Sequence, residues 1–424
     1  MEREITLNHI TKIEGHAKLR LGIDAGEVKV CELSATEGAR YFEGMVRGRK
    51  YFEAHEMTSR ICGICSTGHV IAALTAVERA IGFEVDEDSL RLRELITLGE
   101  RIRSHATHLY FLALPDYVGR ESALAMADDY KPQLRDALEM MRVGNKVVSV
   151  LGGRDLHPVS ATVGGWLKAP TPGEMRELHE LLGSILEPAV RTVGLFLSLE
   201  VPEFESAGDR FSLVDSEYGM LKGVFSSDAA RFEQDRYHDF LREYHTDYST
   251  SNFVVREDKR YFVSALARLD NSAGQLRVKA RELLEGSALK VPSKNPFLNN
   301  AAQAIELVHC IEHAIELCER SYDPKVARDH PAPRAGKGIA AIEVPRGTLW
   351  HEYTIDDDGV IVDANIITPT AQNLLNMQED IRMLVPSLLD RDRDGIVLEV
   401  EKLIRSYDPC FSCSAHFLDV DWVE

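Results

Sequence analysis

Two Cys-x-x-Cys pairs stand near opposite ends of the chain. Cys62 and Cys65 lie in Arg60-Ile61-Cys62-Gly63-Ile64-Cys65-Ser66-Thr67-Gly68-His69, and Cys410 and Cys413 in Asp408-Pro409-Cys410-Phe411-Ser412-Cys413-Ser414-Ala415-His416. Two thiolates spaced by two residues can chelate one ion from a single turn, and two such pairs give four sulfurs, a donor set that selects soft metals. Each pair is followed at nearly the same offset by a histidine, His69 and His416, able to donate to sulfur or to hold a second metal. A structural zinc site is the ordinary reading of paired Cys-x-x-Cys motifs. Three features lower it here: a separation of about 345 residues, far wider than a zinc ribbon, the nearness of the second pair to the C-terminus, and the paired histidines. A thioredoxin-like redox pair explains one motif but not two. Cys31, Cys310 and Cys318 sit alone in apolar runs and read as core thiols. Seven cysteines, an odd number with no export signal, do not make a disulfide framework.

The elements that must position these sulfurs change character along the chain. Strand-like alternation at Ile5–Leu7, Lys18–Ile23 and Val28–Leu33 predicts a small antiparallel sheet, with a turn at Asp24-Ala25-Gly26. After Cys65 the apolar period becomes about 3.6, Ser66-Thr67 can cap a helix and Gly82 can stop it. Helices are expected near 89–114 (ending before Pro115), 128–149, 174–199, 227–245, 260–286 and 297–320. Residues 321–340, rich in Pro, Gly and charge, read as a surface connection. Strands follow at Gly338–Val344, Thr348–Thr354 and Val360–Ile367, then helices near 371–386 and 394–406. The expected fold is mainly α with small β-sheets (α+β): one domain over 1–424, β-rich at 1–60, a long-helix bundle over 61–320, β-rich again at 338–368, with helices and the second cysteine motif at 371–416. The two β-rich ends are expected to meet at the metal site.

With 424 residues the chain can bury a large core. Its net charge of −19 argues against a nucleic-acid partner. No window approaches 18 consecutive apolar residues, and the N-terminus has neither an apolar signal region nor a twin-Arg motif, so the chain reads as cytoplasmic and without a membrane span. No G-x-G-x-x-G fingerprint is present, so a nicotinamide site must lie on another subunit.

The combination R-x-C-G-x-C-x-x-x-H and D-P-C-x-x-C-x-x-H resembles the signature of nickel–iron hydrogenase large subunits. The resemblance extends to Ile13-Glu14-Gly15-His16, to Gly152-Gly153-Arg154 through His157-Pro158 and Gly164-Gly165, and to Val344-Pro345-Arg346-Gly347 and Thr368-Pro369-Thr370. Val163 stands where many members have Pro. Within the family the chain is most similar to the cytoplasmic multisubunit, sulfhydrogenase-like, NAD(P)-linked alpha subunits, through Glu37–Glu43, Leu114–Tyr117 and Asn295–Asn300.

The resemblance implies a Ni–Fe centre that splits or makes H2. Cys62 and Cys410 would bind Ni alone, and Cys65 and Cys413 would bridge to an Fe carrying CO and cyanide. It further implies Glu14 as proton relay beside Cys410, and Pro345 and Arg346 above the Fe, with Arg346 donating to cyanide. Thr370 would donate to a second cyanide, Asp116 would pair with Arg346, and His69 would donate to a bridging sulfur. Glu43 and His416 would hold a structural Mg2+, or Fe in its place. A maturation endopeptidase would remove the eight residues 417–424 after His416. Seven cysteines cannot both ligate Ni and build a chain of Fe–S clusters, so electrons must leave through a partner. The family implies an Fe–S small subunit, and beyond it a diaphorase using FAD and NAD(P). Two other functions compete: a quinone-reductase-type relative, which generally lacks the four cysteines, and a zinc-stabilised structural protein.

Overall fold

The computed structural model describes residues 3–38, 41–327 and 329–415. Alternating residues at the N-terminus pair as expected into an antiparallel sheet of Arg3–Leu7, Ala17–Asp24 and Glu27–Ala35, with Leu7 opposite Leu19 and Leu19 opposite Leu33. Ala17, Leu19, Leu21 and Ile23 turn inward while Arg20 faces solvent, the period of two that a half-buried strand requires. Near the other end Gly336–Val344, Gly347–Ile355 and Ile361–Ile367 form a second antiparallel sheet, almost wholly buried, which explains its near-continuous apolar character.

Between the sheets run long helices: Ser66–Ile81, Glu87–Thr107, Lys131–Gly152, Pro172–Leu197 and Asn299–Cys318. The Ser66–Ile81 helix is buried on nearly every face and packs against both long strands of the second sheet. Cys65 caps its start and Gly82, at φ +68°, ends it in the left-handed conformation that favours glycine. The helices of Glu87–Thr107 and Lys131–Gly152 approach closely at Gly99 and Gly144. A Cβ on Gly144 would lie 2.7 Å from the Gly99 carbonyl oxygen, so only glycine permits this crossing. One contiguous apolar cluster runs from Ile5 to Cys413 and includes all seven cysteines. Among the described residues no helix is long and apolar enough to cross a membrane.

Three sequence expectations need correction. Residues 227–245 are not a helix. They form a strand at Arg231–Phe232, a 3-10 turn at Gln234–Asp239 and a strand at Leu241–Tyr244 that pairs with Phe253–Arg256. Phe232 and Tyr237 are drawn instead into an aromatic cluster with Phe211, Phe225 and Trp350, and tertiary packing overrides local propensity. The expected helix 260–286 is divided: Tyr261–Val263 is a strand parallel to Asp209–Val214, and two short helices, Ala265–Ser272 and Val278–Glu285, follow. The helix expected to end before Pro115 continues past it, through a π-helical stretch at His108–Ala113 into Leu114–Tyr117. Pro115 sits at the start of that last segment, directly after the π-helical stretch.

Candidate metal centre

The two cysteine motifs, distant in sequence, converge. The Sγ atoms of Cys62, Cys65, Cys410 and Cys413 all lie within 4.8 Å of one another and all four residues are buried. Cys62 Sγ is 3.5 Å from Cys410 Sγ, and Cys65 Sγ is 3.3 Å from Cys413 Sγ. Four thiols in one dry pocket cannot ionise independently. Hydrogen bonds from Cys410, Cys413 and Cys65 hold Cys62 well below the usual thiol range, while burial pushes Cys410 and Cys413 well above it. One thiolate forms readily; the next needs a cation. A divalent soft metal supplies that charge, so the donor set fits one.

The first motif is held by the helix beneath it. Glu100 accepts from Thr67 N at 2.7 Å and Gly68 N at 3.0 Å, satisfying the free N–H groups at the start of the Ser66–Ile81 helix. Arg103, one turn on, donates to the carbonyl of Ile64 between the two cysteines. The second motif is held by the N-terminal segment and by the start of the Pro369–Leu384 helix. Phe411 N donates to Glu14 O at 2.9 Å, and Cys410 N donates to Thr370 Oγ1 at 2.8 Å. Gly15 has φ +83°, and a Cβ there would lie 2.7 Å from Ser412 N.

Glu14 reaches the cluster. Cys410 Sγ donates to Glu14 Oε2 at 2.9 Å, and Ser412 N donates to the same oxygen at 3.2 Å. Burial raises the Glu14 pKa, Cys62 adds to that, and the Cys410 hydrogen bond offsets part of it. Arg346 is 4% exposed, and its Nη2 lies 3.0 Å from Asp408 Oδ1. Burial opposes its charge, but Asp408 and the cysteine sulfurs outweigh that and keep the guanidinium firmly cationic. Its Nε and Nη1 are buried with no hydrogen-bond partner among the described residues. A cationic fork with two unused donors beside four sulfurs fits a small acceptor group such as cyanide. Pro345 and Arg346 form the two-residue turn between Gly336–Val344 and Gly347–Ile355.

The other expected site residues divide. Thr370, 2% exposed, accepts from Cys410 N and keeps its hydroxyl proton for another acceptor. His69 is buried, with Nδ1 3.1 Å from His351 Nε2; His351 in turn meets the Tyr353 hydroxyl at 2.8 Å. Glu43 Oε1 accepts from Ile366 N at 2.8 Å. His416 and the tail 417–424 lie outside the described residues. Asp116 does not pair with Arg346. It pairs with Arg405 and Lys12 instead, because the residues after Pro115 continue the helix and aim it at the Arg393–Ser406 helix. Asp408 takes the place expected for Asp116. Sequence reasoning passed over Asp408, although its position directly before Pro409-Cys410 was a usable signal. Its left-handed backbone, φ +48°, belongs to the same tight approach. Arg405, which links Asp116 to the Thr11 carbonyl at 2.8 Å, carried no signal of its own.

A buried four-sulfur pocket, built from both ends of an α+β chain, is a site for one soft metal ion. The family model described as nickel-dependent hydrogenase matches residues 40–134 and 297–416, and the chain belongs to that family. It is 35% identical to the sulfhydrogenase 1 subunit alpha of Pyrococcus furiosus, covering 97% of each chain. It is 33% identical to the sulfhydrogenase 2 subunit alpha of the same organism, covering 98% of this chain and 99% of that one. Among solved structures, an NAD+-reducing NiFe-hydrogenase in the H2-reduced state superposes with a TM-score of 0.85 over 98% of this chain and 99% of that one. At 24% identity this likeness speaks for the fold.

Proposed function

We propose that this chain catalyses reversible heterolytic cleavage of H2 at a Ni–Fe centre held by Cys62, Cys65, Cys410 and Cys413, with Glu14 taking the proton. The observation that carries the reading is the 2.9 Å contact between Glu14 and Cys410 at the edge of the four-sulfur cluster. H2 is a very weak acid, so its cleavage needs an electron-accepting site and a base within reach. When bound, the Ni–Fe centre supplies the first, polarising H2 and accepting its electrons. The protein supplies the second. A proton held at Cys410 Sγ lies within one hydrogen bond of the Glu14 carboxylate, and the raised pKa suits that group to take a proton and release it again. The surrounding burial keeps water from the sulfurs.

In this reading Cys62, Cys65, Cys410 and Cys413 would hold the Ni, and Cys65 and Cys413 would also hold an Fe carrying CO and cyanide. The free donors of Arg346 and the hydroxyl of Thr370 would receive the cyanides, Pro345 would wall the Fe side, and His69 would donate to a bridging sulfur. Glu43 and His416 would share a Mg2+, or Fe in its place. Asp116 acts at one remove, anchoring Arg405 and the segment that leads to Glu14.

Electrons would leave to an Fe–S small subunit and onward to a diaphorase with FAD and NAD(P). Support for that assignment is the similarity to sulfhydrogenase alpha subunits and to an NAD+-reducing enzyme. Residues 417–424 are proposed as an extension removed by a maturation endopeptidase, and the organisation as one domain over 1–424. Metal analysis with infrared spectroscopy tests the reading: Ni and Fe near one each with CO and cyanide bands support it, and zinc alone overturns it. All four cysteines are present and converge, which disfavours the quinone-reductase-type alternative.

A further inference from the structure

A two-residue hairpin turn is normally a surface feature, because its carbonyls need hydrogen-bond donors that water supplies. The Pro345-Arg346 turn is buried, and protein donors replace the water. Arg268 Nη1 donates to Val344 O at 3.1 Å and Arg268 Nη2 to Pro345 O at 3.0 Å. Arg101 Nη2 donates to Glu343 O at 2.6 Å. Three consecutive carbonyls directly ahead of Arg346 are thus fixed by two guanidinium groups, from two different helices.

Both arginines are fully buried, and so are the two carboxylates that balance them, Glu306 and Glu343, the latter 2.9 Å from Arg268 Nη1. Two uncompensated buried cations would be strongly destabilising. Glu306 accepts from Arg268 Nε at 2.6 Å, from Arg268 Nη2 at 2.7 Å and from Arg101 Nη1 at 3.1 Å. The bidentate fork fixes the plane of the Arg268 guanidinium, and with it the direction of its two bonds to the turn. At the other end of the Arg346 side chain, among the described residues, the guanidinium forms an ion pair with Asp408. The reach of Arg346 toward the sulfurs is therefore set by where its backbone is held.

We propose that Arg268 and Arg101, held by Glu306, form a clamp on the Glu343–Pro345 carbonyls that positions the Arg346 guanidinium over the four-cysteine centre, making Arg268 a positioning residue of this hydrogenase. The inference rests on the reading of Arg346 given under the proposed function. It predicts that a change at Arg268 acts through Arg346. Arg268→Lys keeps the charge but cannot hold Glu306 and two carbonyls at once.

The test compares four variants of the metal-loaded complex by infrared spectroscopy of the diatomic ligands, metal content and thermal midpoint: Arg346→Lys, Arg268→Lys, their double variant and Arg93→Lys. Arg93 is an equally buried arginine paired with Glu78 at 2.6 and 2.7 Å, and it does not touch the turn. Arg268→Lys is expected to move the cyanide bands in the same direction as Arg346→Lys and to lower turnover about tenfold, the effect of one lost charge-assisted hydrogen bond. The double variant should add little to Arg346→Lys alone. Arg93→Lys should lower the midpoint and leave the bands in place. Should Arg268→Lys fail to load metal, Arg101→Lys, which removes one carbonyl contact, should give a smaller band shift of the same sign. Bands moved by Arg346→Lys but by neither clamp variant overturn the clamp alone. Bands unmoved by Arg346→Lys overturn the reading of Arg346, and the clamp with it.

Discussion

Replacing Glu14 by Gln removes an acid–base group and little else. The amide is nearly isosteric, its carbonyl oxygen can keep the Ser412 N–H, and the Phe411 N to Glu14 O bond belongs to the backbone. What disappears is a titratable oxygen 2.9 Å from Cys410 Sγ, inside proton-transfer reach. A well-placed general base contributes ~10²–10⁴-fold, equivalent to about 3–5 kcal/mol of barrier. Turnover is expected to fall by that factor, both in H2 oxidation with an artificial electron acceptor and in D2–water exchange. The exchange assay matters because it needs proton movement but no electron exit through a partner. Nickel and iron content should match the parent, since no sulfur is altered. Glu14→Asp keeps the acid but withdraws it by one methylene, and should recover part of the loss. Exchange within about threefold of the parent at equal metal content would show that another group carries the proton.

Two further perturbations probe the frame around the site. Gly15→Ala forces a Cβ to 2.7 Å from Ser412 N at φ +83° and should cost about 1–3 kcal/mol of local strain, read as reduced nickel occupancy with a smaller drop in thermal midpoint. Intact loading in that variant would contradict the tight packing of the Glu14–Gly15 segment on the second cysteine motif. Asp380 has its pKa raised to about 6 by burial, despite hydrogen bonds from Tyr407 at 2.5 Å and Ser206 at 2.9 Å. The folded state then holds the proton more tightly than the unfolded one, so this group's stabilising share is full at low pH and is lost as pH rises through about 6. The difference in unfolding free energy between the parent and Asp380→Asn should decline by up to about 3 kcal/mol between about pH 4 and pH 7, measured by urea titration. A difference that rises over that window would reverse the assignment.

Much of the site was legible because its chemistry uses rare residues at fixed spacing. Cys62, Cys65, Cys410 and Cys413 announce a soft-metal site from their pattern, and Glu14 and Arg346 stand in short motifs that the structure brings beside them. The strands at both ends were legible from their alternation, and the Ser66–Ile81 helix from its period and its Gly82 stop. What failed depended on contacts between distant segments. Charged residues around Asp235–Arg242 look helical in isolation, yet Phe232 and Tyr237 gain more by entering the aromatic cluster under Trp350. The division of 260–286 had local signals: Ser264 accepts from Ala267 N as a cap, and Ala273-Gly274 interrupts the period. Asp116 and Asp408 were both available to Arg346, and the place of Asp408 directly before Pro409-Cys410 was the signal that favoured it. The Glu306–Arg268–Arg101 group was invisible because buried arginines and glutamates look like surface charge in a sequence.

The central claim is that sulfurs from both ends of the polypeptide share one nickel. X-ray absorption at the nickel edge of the purified complex tests this most directly. A shell of about four sulfur neighbours at the nickel is expected, reduced by one in a Cys62→Ser variant that still binds metal. Nickel bound only by nitrogen and oxygen, or zinc in the four-sulfur site of active protein, would contradict it.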